Sequence, residues 1–327
     1  MNSEVVVEVE KTNTENEKKS GGLRKAAVPL LMSSVFGFIG LQAYLATGFI
    51  MALVNFGFLG TALGLGLGLY SFLPKKKKPM GRKFAQFMIG GYMLLFMGIL
   101  INNNVQIEGF FFGIITGVMG AGIMHYLMAK VLGPLLFGRL WCGWACWTAM
   151  VLDLLPFSKS PGRRAPGLGY IRYVHFILSF IFVYLLILIF GPSIGLDNTF
   201  YSLLFVLAGN VFYYAAAIGM AYHYKDNRAF CKYLCPITTI LKASSRFSVI
   251  KVKGDADKCT NCCACVKACP MDIRIPDYIR QGKRVLSTEC TLCQTCINTC
   301  PHGVLSLSAG IDLGGKELLK PISTSAD

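Results

Sequence analysis

Charge is scarce in this chain. Of 327 residues only 15% are charged, where a soluble domain carries about a quarter. Hydrophobic residues make up 54%. So few solvating groups exclude disorder for the bulk of the sequence and exclude an ordinary cytosolic enzyme, which leaves a membrane protein. Acidic residues are the scarcer sign, 17 against 32 Lys and Arg, for a net charge of +15. That excess invites a nucleic-acid partner. The basic residues sit between apolar stretches rather than on one soluble face, however, so no nucleic acid is expected. Cysteine is absent before Cys142, and nine of the 13 lie between Cys259 and Cys300. Such clustering reads as metal ligation.

No secretory signal opens the sequence. Residues 1–26 are polar, with Glu4, Glu8, Glu10, Glu15 and Glu17 among lysines, and read as a disordered cytoplasmic tail. No charge interrupts 27–73. A single helix of that length would cross the bilayer core roughly twice, so it is divided into spans near 28–49 and 53–73. Further spans near 84–101, 109–137, 170–191 and 199–222 bring the number to six, within a membrane domain at 27–249. No Asp or Glu lies inside any of them, which leaves a carboxylate proton relay without members. His125 lies mid-span. His175 and His223, near the ends of spans five and six, read as interfacial histidines bound to backbone or water rather than as haem ligands.

The links at 102–108 and 192–198 lack Lys and Arg. Basic residues gather instead at lysines 75–78 with Arg82 and Lys83, at Arg139, Lys159, Arg163, Arg164 and Arg172, and at Lys225, Arg228 and Lys232. Cytoplasmic loops carry the positive excess. The expected location is therefore the cell (inner) membrane, with several passes and with both termini and all cysteines on the cytoplasmic side. Lys130, inside span four, is expected to snorkel to the interface.

The strongest signal lies at 250–308. Cys259, Cys262, Cys265 and Cys269 precede Pro270, and Cys290, Cys293, Cys296 and Cys300 precede Pro301, each cysteine of the second run 31 residues after its counterpart. In such a C-x2-C-x2-C-x3-C-P run three thiolates wrap one [4Fe–4S] cluster while the fourth reaches the other. The expected sets are Cys259, Cys262, Cys265 and Cys300 for one cluster, and Cys290, Cys293, Cys296 and Cys269 for the second. Structural zinc prefers two cysteine pairs set farther apart, and disulfides are disfavoured on the reducing side of a membrane. Cys263 breaks no spacing and reads as a packed residue.

A second duplication lies upstream. At an offset of 89 residues, Arg139, Trp141, Cys142, Trp144 and Cys146 match Arg228, Phe230, Cys231, Tyr233 and Cys235. Cysteines four apart share one face of a helix. Three readings compete for them: a third [4Fe–4S] cluster on all four, a redox-active dithiol on one or both pairs, or packing. Trp141, Trp144 and Trp147 read as an interfacial belt.

The G-R-x-W-C-G-W-x-C run at 138–146, the F-C-x-x-x-C-P run at 230–236 and the double ferredoxin motif together resemble the NapH-type membrane polyferredoxins, with NosR-type and CcoG-type proteins as relatives. The resemblance covers roughly 84–306. Trp147 stands where the first motif usually has proline. The resemblance implies a 4Fe–4S membrane protein in a respiratory or metallocofactor-supporting chain, a quinol dehydrogenase-type subunit exchanging electrons with the quinone pool. The expected architecture is an α-helical integral membrane protein of about six transmembrane helices plus a C-terminal α+β bacterial-type double [4Fe–4S] ferredoxin domain, followed by a tail at 309–327. The expected partners are the lipid bilayer, a quinol and a redox partner protein. The alternative is a maturation or regulatory reductase acting on a metal or disulfide in a partner enzyme.

Overall fold

The computed structural model describes residues 3–164, 166–192, 199–312 and 315–322. The chain divides into two compact units, residues 1–89 and 90–327.

The first unit is a helical hairpin of α1 (Ser3–Thr47) and α2 (Ile50–Phe72), turned at Gly48 with φ +68°. The segment expected as a disordered tail is helical from Ser3 on. Once the apolar span has nucleated the helix, each further turn propagates at little cost, and the polar composition does not prevent it. The two helices approach closely where α2 has no side chain. A Cβ on Gly60 would lie 2.7 Å from Cβ of Phe36, and Ser33 Oγ donates to the Gly60 carbonyl at 3.0 Å. Small residues let apolar helices pack backbone to backbone. Gly60→Leu is expected to destabilise this hairpin by about 1–3 kcal/mol through overpacking. Reduced crosslinking between cysteines introduced on α1 and α2 would register it.

Five helices are long and apolar enough to cross a membrane: Lys25–Thr47, Ile50–Phe72, Lys78–Leu100, Gly167–Phe190 and Phe200–Tyr224. The third consists of α3 (Lys78–Gly91) and a continuation over Tyr92–Leu100 that widens to π hydrogen bonding, with Ile101 N–H bonded to Phe96 O. The remaining expected span, 109–137, is broken. It forms α4 (Ile107–Thr116), a turn, and a second apolar helical stretch over Gly122–Phe137. Gly117 ends α4 with φ +72°, a left-handed conformation that glycine adopts freely. The two pieces fold onto each other, Phe110 stacking on Tyr126 at 4.6 Å. The second piece widens to π bonding over Leu127–Leu132. Of the expected link at 192–198, residues 193–198 lie outside the described residues.

The apolar faces of these helices are exposed, for example Ile177, Leu178, Ile181, Leu185 and Leu188 along one helix. An exposed stripe of that extent marks a surface made for an apolar surrounding.

The C-terminal region is held by two antiparallel strands, β1 (Ile250–Gly254) and β2 (Leu305–Ala309), with Val252 opposite Leu307. Between them three short helices pack on a core that includes Met271, Ile273, Tyr278 and four of the cysteines. The expected tail is packed over 315–322. Arg274 N–H bonds Leu318 O, Arg163 N–H bonds Lys320 O at 2.8 Å, and Ile322 N–H returns to Arg163 O.

Candidate functional site

The upstream repeat is preserved bond by bond. Leu140–Trp144 and Ala229–Tyr233 are matching five-residue helices. In the first, the Ala145 and Cys146 amides both bond the Trp141 carbonyl at 3.0 Å; in the second, the Leu234 and Cys235 amides both bond that of Phe230 at 2.9 Å. The paired cysteines therefore do not share one helix face, as their spacing suggested. Each short helix stops before the second cysteine, and Cys146 is extended, with φ −70° and ψ 124°. The doubled bond turns the chain so that both sulfurs face inward.

Cys142, Cys146, Cys231 and Cys235 line one cavity with Gln106, Lys130, Trp141 and Tyr213. Lys130 does not snorkel. It is 1% exposed, with Nζ 3.7 Å from the centre of the Trp141 ring, because the π-widened turn carries it inward. Arg228 approaches Cys231 Sγ at 4.0 Å and donates to Cys142 O. Arg139 and Arg228 are paired with Glu289 and Asp153, both at 2.7 Å. Among the described residues, no carboxylate makes an ion pair with Lys130. A buried ammonium either sheds its proton or takes a nearby anion, and the cysteines are the groups at hand. Yet burial pushes the free Cys231 thiol up to about 11, and raises Cys146 and Cys235 too. Burial thus disfavours the thiolate at Cys146, Cys231 and Cys235, the form through which an exchange dithiol works. Metal ligation would supply the missing anionic sulfur.

The tryptophans are not an interfacial belt. Trp144 and Trp147 are buried, and the Trp144 indole N–H donates to Leu292 O at 3.1 Å. Nor do the histidines form a pair: His175 Nδ1 lies 2.9 Å from Leu234 O, and the exposed His223 packs on Tyr224.

The C-terminal motif repeats in the backbone as well as the sequence. Asn261 and Cys263 have φ of 55° and 56°, and their counterparts 31 residues on, Leu292 and Gln294, have 47° and 58°. Left-handed conformations at non-glycine residues are costly and persist only where the surroundings fix them. Alternating with ordinary residues, they curl a loop so that successive N–H groups point into one concavity, a cradle for an anionic body. Cys259, Cys262, Cys265 and Cys300 line one such cavity. Burial pushes Cys269 up to about 12, with the charges of Cys293 and Cys290 adding to it. Cys296 is raised in the same way beside Cys293, Cys290 and Cys269. Among the described residues no three His, Cys, Asp or Glu side chains converge on a single-ion site; the cysteines face one another across cavities. Cys263 also borders the first of these cavities, its Sγ 3.4 Å from Asn261 O.

The two cysteine regions touch. A Cβ on Gly143 would lie 2.3 Å from Thr291 O and 3.6 Å from Cα of Cys293, so only glycine lets the Cys142 loop sit on the Cys290–Cys293 loop. Beside this contact Glu289, 1% exposed, accepts from Arg139 (2.7 Å), Arg172 (3.0 Å) and Lys242 (2.7 Å) and is ion-paired with Arg163 (3.1 Å). Burial alone would raise its carboxyl, but these cations prevail and hold it well below the usual range. Lys232 makes a parallel hub, 2.6 Å from both Asp226 and Asp272.

One cavity lined by four upstream cysteines, another lined by four set about a left-handed loop, and the repeat of that loop at Leu292 and Gln294 suit iron–sulfur clusters, and electron transfer is the chemistry such a series of centres performs. The chain is an iron–sulfur electron-transfer protein. A 4Fe-4S dicluster domain matches residues 251–302, and a 4Fe-4S binding domain matches 126–163 and 202–254, the two segments that bear the upstream cysteine pairs. Two proteins of Methanocaldococcus jannaschii are similar, the "uncharacterized protein MJ0749" at 27% identity (54% of this chain, 72% of that protein) and the "uncharacterized protein MJ0750" at 29% (52% and 76%). The "Putative electron transport protein YccM" of Escherichia coli (strain K12) is similar at 26%, over 52% of each chain. No solved structure matches.

Proposed function

We propose that this chain is a NapH-type membrane polyferredoxin that carries electrons between the quinone pool and a redox partner protein through three [4Fe–4S] sites. Cys142, Cys146, Cys231 and Cys235 would hold one; Cys290, Cys293, Cys296 and Cys269 the second; and Cys259, Cys262, Cys265 and Cys300 the third. The observation that carries this reading is the contact of Gly143 and Trp144 with the Thr291–Leu292 backbone, which sets the first two sites side by side. Bound clusters supply one-electron transfer; the chain supplies insulation, charge and order. Cys262 is exposed, so the third site is the one a partner protein reaches. The basic loops support a cytoplasmic ferredoxin region and six membrane passages, α4 and the stretch after it sharing one. The rival reading, a thiol-based maturation reductase, is disfavoured by the convergence of all four upstream cysteines on one cavity, with Cys142 and Cys231 buried.

An anaerobic redox titration of the full chain tests the proposal. Duroquinol should reduce the clusters; reduction by dithionite but not by duroquinol would overturn the quinone assignment. Lys130→Met should lower the potential of the upstream site by on the order of 50–100 mV, since a nearby positive charge favours the more negative, reduced state. A potentiometric titration followed by electron paramagnetic resonance reads that shift.

A further inference from the structure

We infer that the cavity across α4 from the cysteines binds a lipid-soluble hydroquinone and that Glu108 accepts one of its protons. The inference rests on the quinol reading above and locates it. The cavity measures about 450 Å³ and is lined by apolar side chains such as Phe112, Val183, Leu186 and Phe205, with Asn102, Asn103, Asn104, Glu108, Tyr201 and Ser202 as its polar residues. That volume is in the range of small-molecule sites. Val183 and Leu186 lie roughly 20 Å along their helix from Arg172, which touches Glu289. The cavity therefore lies toward the end of this helix remote from Glu289.

The first turn of α4 is the partition between the two cavities. Gln106 and Ile107 line the cysteine side, while Glu108 lines the other. From sequence Glu108 fell in a link between spans. In the structure it lies inside α4, so the helical region does contain a carboxylate. Its Oε1 accepts from the Tyr213 hydroxyl at 2.9 Å. Its Oε2 is buried without a hydrogen-bond partner. A buried carboxylate oxygen is incomplete without a donor; Glu108 lines the cavity, so a turn of its carboxyl offers that oxygen to a phenolic O–H on an apolar body. The other face of Tyr213 lines the cysteine cavity and packs edge-on against Phe230 at 5.9 Å, next to Cys231. A ring seated at Glu108 is thus one side chain from the upstream cysteines.

The step balances. The hydroquinone breaks two O–H bonds and becomes the quinone, losing two protons and two electrons. One proton goes to Glu108 Oε2 and the other to water; Glu108 then releases its proton to water. The electrons leave singly: the one centre assigned to Cys142, Cys146, Cys231 and Cys235 would take the first, pass it to the C-terminal centres and then take the second.

The test uses the full chain in detergent with its clusters in place. Binding is read by equilibrium dialysis of duroquinone, and cluster bleaching by duroquinol is followed in a stopped-flow instrument. Iron content and dithionite reduction report intact folding. Glu108→Gln should bind duroquinone within about twofold of wild type yet bleach about 100-fold more slowly or worse, the scale of a lost general base. Glu108→Asp should recover part of the rate. Ser202→Trp, or Ala208→Trp should the first fail to fold, fills the cavity and should weaken binding by about tenfold or more. Bleaching of Glu108→Gln at the wild-type rate overturns the role of Glu108. Undiminished binding in a folded tryptophan variant overturns the site. Wild-type protein that duroquinol cannot bleach, although dithionite does, overturns the quinol reading itself and this inference with it.

Discussion

Serine in place of Cys142 or Cys231 should remove about four of about twelve iron atoms from the anaerobically purified protein, one [4Fe–4S] unit of three. The signals of the C-terminal pair should remain. The four sulfurs line a single cavity, so losing either cysteine opens the same site, and the two variants should lose the same spectral component. Ordinary packing cysteines would leave iron unchanged on replacement by serine. Iron near eight in wild type and variants alike would sink the assignment.

Glu289→Ala should be the most damaging substitution at a residue that ligates nothing. Removing one partner from a buried charge pair costs about 3–5 kcal/mol, because the other is left uncompensated. Here one carboxylate serves Arg139, Arg163, Arg172 and Lys242. Three of these sit on segments before the ferredoxin region and one on the helix leading into it, so the variant should release that region as well as weaken it. Limited proteolysis should cut near residue 250 in the variant and not in wild type. An unchanged fragment pattern together with an unchanged unfolding midpoint would show that the Gly143, Trp144, Lys232 and Arg163 contacts suffice without it.

Cysteine spacing made the two repeats legible, because ligation by neighbouring thiolates is a local, covalent matter that sequence distance encodes. Span positions were legible for the same reason: length and hydropathy are local. What escaped depends on tertiary placement. Glu289 stands alone before Cys290 and becomes a hub only when loops at 139, 163, 172 and 242 converge on it. Lys130 looked like a snorkelling lysine because a π-widened turn cannot be read from apolar periodicity. The break in the 109–137 span had a signal, the glycines at 117, 120 and 122 inside an apolar stretch, and a stricter reading of glycine there would have found it. Glu108 fell one residue outside a span boundary, because hydropathy does not fix where a helix begins.

The β1–β2 ladder also sets a schedule for synthesis. Gly254 pairs with Leu305, about fifty residues later, and residues 318–322 then lock onto Arg274 and Arg163. A ribosome delivers the helical segments and β1 well before their closing partners, and so long a loop closes slowly. During translation the ferredoxin cradle is an open bowl beside helices already in the bilayer. Iron and sulfide therefore have their widest access after membrane insertion and before the ladder shuts, and the closing strand is the seal on the loaded protein.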